Sequence, residues 1–235
     1  MRKLILSILI LMMFNTVAYA YTDVSDEVLS TKLNDLSKYN IINGYEDGTF
    51  RPDNSITRAE FSKIIMCATM NDYITEYEKG FTDVADGSWA EKYIYSAKML
   101  GIVNGTTEST FEPEANITNE QAIKMIVCSL GYSEEAIAAG GYPDGYIEIA
   151  KNIGIISNSN FDSKAISTRR GIAEMVYKAL DSELYFIYIA EDGSIERSKA
   201  ENTLREIHEL SIDNSINDVE NNNQINNELE VDSVG

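Results

Sequence analysis

Sliding the chain by 61 residues lays it on itself. Ile41-Ile42-Asn43-Gly44 falls on Ile102-Val103-Asn104-Gly105, Phe50 on Phe111, Pro52 on Pro113, and Ile56-Thr57 on Ile117-Thr118. The opening Tyr21-Thr22-Asp23-Val24 returns as Phe81-Thr82-Asp83-Val84. A more degraded third copy has Ile155-Ile156 and then Thr168-Arg169, which matches Thr57-Arg58 at a shift of 111; its connection is 12 residues against 15 in the first copy. Internal repetition at this period constrains the fold more than any other feature, because a unit this small cannot bury its apolar face alone and must pack against its neighbours.

Each copy reads as helix, loop, helix. Leu29, Leu33, Leu36 and Tyr39 form one apolar stripe, as do Ile94, Ala97 and Leu100, and Ile147, Ala150 and Ile153. The second helices carry Phe61, Ile64, Ile65 and Ala68; Ala122, Met125, Ile126 and Ser129; and Ile172, Met175, Val176 and Ala179. Thr57-x-x-Glu60 and Thr118-x-x-Gln121 are capping boxes that start the second helix; Gly171 breaks the box in the third copy. The expected fold is mainly α: three helix-loop-helix repeats around one core.

Ahead of the repeats, Arg2 and Lys3 precede an apolar run from Leu4 to Phe14, and Ala18-Tyr19-Ala20 gives a small-x-small cleavage pattern. Residues 1–20 read as a signal peptide, since 11 apolar residues are too few for a span of about 20. The mature chain then holds 17 basic and 38 acidic residues, a charge of −21, with no later segment apolar enough to span a membrane. Such acidity argues against nucleic acid as partner, because that binding neutralises phosphates with Lys and Arg. One histidine, His208, and two cysteines, Cys67 and Cys128, make no ligand set for zinc or an iron–sulfur cluster. No metal, cofactor or catalytic residue is expected. Cys67 and Cys128 occupy equivalent places, with Lys178 at the third, which suggests a position reaching solvent and free thiols.

Tyr21-Thr22-Asp23-Val24, Gly44-Tyr45-Glu46-Asp47-Gly48-Thr49-Phe50-Arg51-Pro52 and Ile56-Thr57-Arg58-Ala59-Glu60-Phe61 together resemble an S-layer homology (SLH) motif. By this resemblance the motifs cover 21–70, 81–132 and, degraded, 142–184. It implies a pseudo-threefold spindle with a central helical bundle. It also implies non-catalytic anchoring of a secreted protein at the bacterial cell wall and cell surface. The partner so implied is an acidic, peptidoglycan-linked secondary cell-wall polysaccharide, often capped by pyruvylated N-acetylmannosamine.

Arg58 follows Thr57, the expected N-cap, where the helix dipole disfavours a cation by roughly 0.3–1 kcal/mol. Arg169 repeats the placement and Arg170 adds to it, whereas the second copy has neutral Asn119. A cation beside free N–H groups calls for an anion or a nearby carboxylate. Two readings follow. In the first, helix N-termini and Arg58, with Arg169 assisting, hold a sugar acid, a role the resemblance implies for Arg58 and Arg169. In the alternative, Arg58 closes an internal ion pair and the chain is a structural, self-assembling or protein-interaction module. Trp89 stands before a first helix, as sugar-stacking face or core-edge aromatic; Asp23 and Asp83 accept sugar hydroxyls or cap the following helices; Gly44 and Tyr45 line the loop expected nearest Arg58.

After Leu184 the pattern changes. Leu184–Ala190 reads as a strand, Glu191–Ser194 as a turn and Ser198–Leu210 as a short polar helix, a 185–210 extension. The Asn-rich 211–235 stretch is expected to be disordered, because it buries too little apolar surface to offset ordering entropy.

Overall fold

A computed structural model describes residues 21–157 and 161–215; the signal-peptide reading and residues 216–235 lie outside the described residues. Helices α1 (Glu27–Lys38), α2 (Arg58–Ala68), α3 (Glu91–Met99), α4 (Asn119–Ser129), α5 (Ser133–Ala138), α6 (Asp144–Asn152) and α7 (Arg169–Ala179) precede the strands β1 (Tyr185–Ile189) and β2 (Ile195–Lys199). A further helix, α8, is described over 204–215. The protein is mainly α, as the repeat pattern requires.

Local chemistry sets the helix starts. Thr57 Oγ1 accepts from Glu60 N at 3.2 Å while Glu60 Oε2 accepts from Thr57 N at 2.9 Å. Gln121 Oε1 accepts from Thr118 N at 3.1 Å, and Thr168 Oγ1 alone caps α7 through Gly171 N. Asp26 caps α1 through the N–H groups of Val28 and Leu29.

The helices pair across segments rather than within them. α3 packs on α2, α6 on α4, and α1 returns to pack on α7. Short antiparallel bridges join the stretches before α2, α4 and α7: Thr57 with Asn116, Thr118 with Ile166, and Ser55 with Thr168. These contacts run cyclically through the three segments. They gather Leu29, Leu33, Phe50, Phe61, Ile94, Phe111, Ile126 and Ile172 into one core with no exposed surface.

Three features depart from the sequence reading. Cys67 and Cys128 are buried free thiols, not solvent-facing ones, because their helices are covered by the next segment and, at Cys67, by α8. β1 has an antiparallel partner, β2, which takes Ser198 and Lys199 out of the expected helix. Helical backbone then extends to 215, five residues into the stretch expected to lack order. α8 docks through Arg205, bonded to Asp181 at 2.6 Å and Asp35 at 3.1 Å, and through buried His208.

Candidate functional site

Two clefts have the same construction. In one, the Arg58 guanidinium leaves its own helix and enters the loop of the second repeat. Nε donates to Phe111 O at 2.9 Å and Nη2 to Asn104 O at 3.1 Å, with Cζ 4.5 Å from the Phe111 ring centroid. In the other, Arg169 enters the loop of the first repeat. Nε donates to Phe50 O at 2.8 Å and Nη2 to Asn43 O at 2.9 Å, with Cζ 4.6 Å from the Phe50 ring. Arg58 is 8% and Arg169 7% exposed.

Among the described residues neither guanidinium has a carboxylate within 4.0 Å. Burial lowers the Arg58 pKa, and the more distant charges of Glu112 and Asp83 oppose that shift. A cation taken out of water and bonded only to neutral carbonyls retains an unmet demand for negative charge. Arg170, next in sequence, pairs with Asp26 at 3.1 Å.

The Arg58 cleft, about 390 Å³, is lined by Asn104, Gly105, Thr106, Gln121, Lys124 and Tyr142. The Arg169 cleft, about 280 Å³, is lined by Asn43, Gly44, Glu60, Lys63 and Trp89. Their second cations and aromatics correspond, since Lys63 and Lys124 are 61 apart and Trp89 and Tyr142 each stand two residues before a helix, whereas Glu60 lines one cleft where Gln121 lines the other. Each cleft therefore sets two cations and an aromatic around a glycine-lined floor. Trp89 is 55% exposed, so its face is open to a ligand.

The glycines are required by close packing. A Cβ on Gly44 would lie 2.2 Å from the Tyr21 ring and 2.6 Å from Thr49 O; on Gly105 it would lie 2.3 Å from Thr107 O and 2.6 Å from the Phe81 ring. Asp23 accepts from Phe50 N at 2.8 Å and Arg51 N at 2.7 Å, and Asp83 accepts likewise from Phe111 N and Glu112 N. Burial works against ionisation of both acids, but these N–H bonds outweigh it and hold both below the usual carboxylate range. The two acids fix the loops whose carbonyls receive the arginines, and neither caps a helix.

A family model described as S-layer homology domain matches residues 20–62 and 80–123, the two segments that hold Arg58 and both arginine-receiving loops. The chain carries S-layer homology domain sequence in these two segments.

Relatives agree with the match. The chain is 29% identical over 152 residues to a "Middle cell wall protein" of Brevibacillus brevis, covering 63% of this chain and 14% of the relative. It is 28% identical over 165 residues to a "Surface layer protein" of Brevibacillus choshinensis, covering 68% and 14%. It is 37% identical over 101 residues to a "Cellulosome-anchoring protein" of Acetivibrio thermocellus, covering 40% and 22%. The chain thus spans less than a quarter of each of these relatives.

Two sequence expectations need correction. Gly44 and Tyr45 meet Arg169, not Arg58, because each second-helix arginine reaches into another segment's loop; the Tyr45 ring lies 4.9 Å from Arg169 Cζ. The helix N-termini are not open to an anion. Arg58 N and Ala59 N donate to Ala115 O and Pro113 O, Asn119 N and Glu120 N to Ala165 O and Ser163 O, and Arg169 N and Arg170 N to Asn54 O and Pro52 O. Those donors join the segments, leaving the guanidinium and lysine as the anion-seeking groups.

Asn119 donates to Asp162 O at 2.8 Å and accepts from Ser167 Oγ at 2.7 Å. At this third junction the place of Lys63 and Lys124 is taken by Glu174, and that of Trp89 and Tyr142 by Ser25. Lys63, Lys124 and Tyr142 were not singled out from the sequence. The 61-residue register carried the signal for the lysines, and the spacing before the helix carried it for Tyr142.

Proposed function

We propose that the chain is a secreted, non-catalytic cell-wall anchoring module that binds an acidic secondary cell-wall polysaccharide. The carboxylate of a pyruvylated sugar sits between Arg58 and Lys124, its ring against Tyr142. Arg169, Lys63 and Trp89 assist in the second cleft, while the Asn119 junction binds nothing. The family match and the names of the relatives support a role at the cell surface. The observation that carries the ligand chemistry is a buried guanidinium held by two carbonyls, with no acid to neutralise it, facing a cleft beside a second cation. The interaction-module alternative rested on an internal ion pair at Arg58, which does not occur among the described residues.

Co-sedimentation with purified wall sacculi tests this. Hydrogen bonds to a charged group are worth about 1.5–3 kcal/mol, so Arg58→Ala is expected to weaken retention by about ten-fold or more. Lys124→Gln, at a half-buried position outside the core, is expected to weaken it with the fold intact. Retention unchanged after chemical removal of pyruvyl groups would refute the proposed ligand.

A further inference from the structure

We infer that the Arg169 cleft continues past Trp89 into a second anion-binding locus, formed by Lys63, Tyr93 and Lys92, that holds the next acidic unit of the same polysaccharide. The inference rests on the anchoring reading and adds to it the length of glycan engaged.

The 280 Å³ Arg169 cleft and a shallower depression of about 650 Å³ share two lining residues, Lys63 and Trp89, so one surface runs through both. Beyond Trp89 two ammonium groups gather over one ring: Lys92 Nζ is 4.6 Å and Lys63 Nζ 6.0 Å from the Tyr93 centroid. Lys92 donates to a neutral group, Asp72 O, at 3.3 Å. Of the acids nearby, Glu91 and Asp86 are taken by Lys79 at 2.7 and 2.8 Å, with Gly87 N also donating to Glu91, and the Asp72 carboxylate makes no ion pair with Lys92 within 4.0 Å. Among the described residues Lys63 and Lys92 have no carboxylate within 4.0 Å, although the chain holds 38 acids against 19 bases. Two cations at one aromatic ring, without an ion pair in so acidic a protein, form a surface suited to a second sugar acid.

The Arg58 cleft has no such continuation. Tyr142-Pro143-Asp144-Gly145-Tyr146 stands where Trp89-Ala90-Glu91-Lys92-Tyr93 stands, so Gly145 replaces Lys92. A Cβ there would lie 2.1 Å from Ala136 O, because α5 covers the position. One cleft therefore takes a single acidic unit, and the other takes a run of at least two.

Calorimetric titration with two probes tests this: a monomeric pyruvylated N-acetylmannosamine glycoside, and wall-polysaccharide fragments of several such units. Linking contacts on one chain raises apparent affinity without new chemistry at either locus. The unsubstituted protein is expected to bind fragments about ten-fold more tightly than monomer, per unit. Lys92→Glu is expected to remove most of that gain while monomer affinity stays within about two-fold, with Lys92→Gln intermediate. A gain that survives Lys92→Glu, or fragments bound no better than monomer, would overturn the second locus alone. Failure of the unsubstituted protein to bind either probe would overturn the anchoring reading and this one together.

Discussion

At Arg58 and Arg169 the guanidinium works as a structural pin and as the base of a cleft. Its planar fork reaches two carbonyls of another segment's loop while its face lies on Phe111 or Phe50. An ammonium on a flexible stem lacks both the fork and the flat face. Arg58→Lys is therefore expected to leave at least one buried carbonyl short of a donor and to cost about 1–3 kcal/mol in urea unfolding. The floor is equally intolerant. Gly44→Ala drives a methyl into Tyr21 and the Thr49 carbonyl, and is expected to destabilise by about 1–3 kcal/mol in the same measurement. Thr49→Ala, at a partly exposed loop site, serves as its comparison.

At the scale of elements, α8 brings a titratable group into the core of the first repeat. His208 stacks on Tyr39, with ring centroids 5.0 Å apart, and its Nε2 lies 2.9 Å from Ala68 O. Burial lowers its pKa below the ordinary 6.5, the Ala68 bond opposing only in part. The unfolded chain then binds the proton more readily than the folded one, so this contribution is full at neutral pH and lost as pH falls below about 6.5. Thermal unfolding between pH 7.5 and 5 is expected to show His208→Gln losing less stability over that range than the unsubstituted protein.

Much of this level was legible in sequence. The Thr57 and Thr118 capping boxes and the apolar stripes place six helices, and the 61-residue register makes α2 equivalent to α4. Which segment's loop receives Arg58 was not legible, because identical spacing serves pairing within or between repeats. Asp23 and Asp83 misled for a related reason: an acid shortly before a helix looks like a cap, while its true partners lie 27 to 29 residues away. α5, β2 and the end of α8 have too little periodicity of their own and take their structure from what they cover.

For the whole molecule, charge sets how binding responds to salt. The chain carries −19 overall and, in this account, approaches an anionic polymer, so their long-range interaction is repulsive. Added salt screens that repulsion over a Debye length of about 10 Å at 0.1 M, while the clefts act at contact distance. Glycan affinity is therefore expected to hold or rise modestly from 20 to 200 mM salt, as read by calorimetry. A basic-patch binder would instead lose affinity steeply. Three segments meeting cyclically also need not bind three ligands: Asn119, Glu174 and Ser25 replace arginine, lysine and aromatic at one junction. The central claim is that sugar acids enter at the two arginine-pinned loops. Backbone amide NMR during titration with a pyruvylated N-acetylmannosamine glycoside tests it most directly. Saturable shifts at Gly105–Thr106 and Gly44–Tyr45, with Ile155–Ile156 unmoved, are the predicted result. Shifts centred on Ile155–Ile156 or on the β1–β2 hairpin, with the arginine-bearing loops silent, would contradict it.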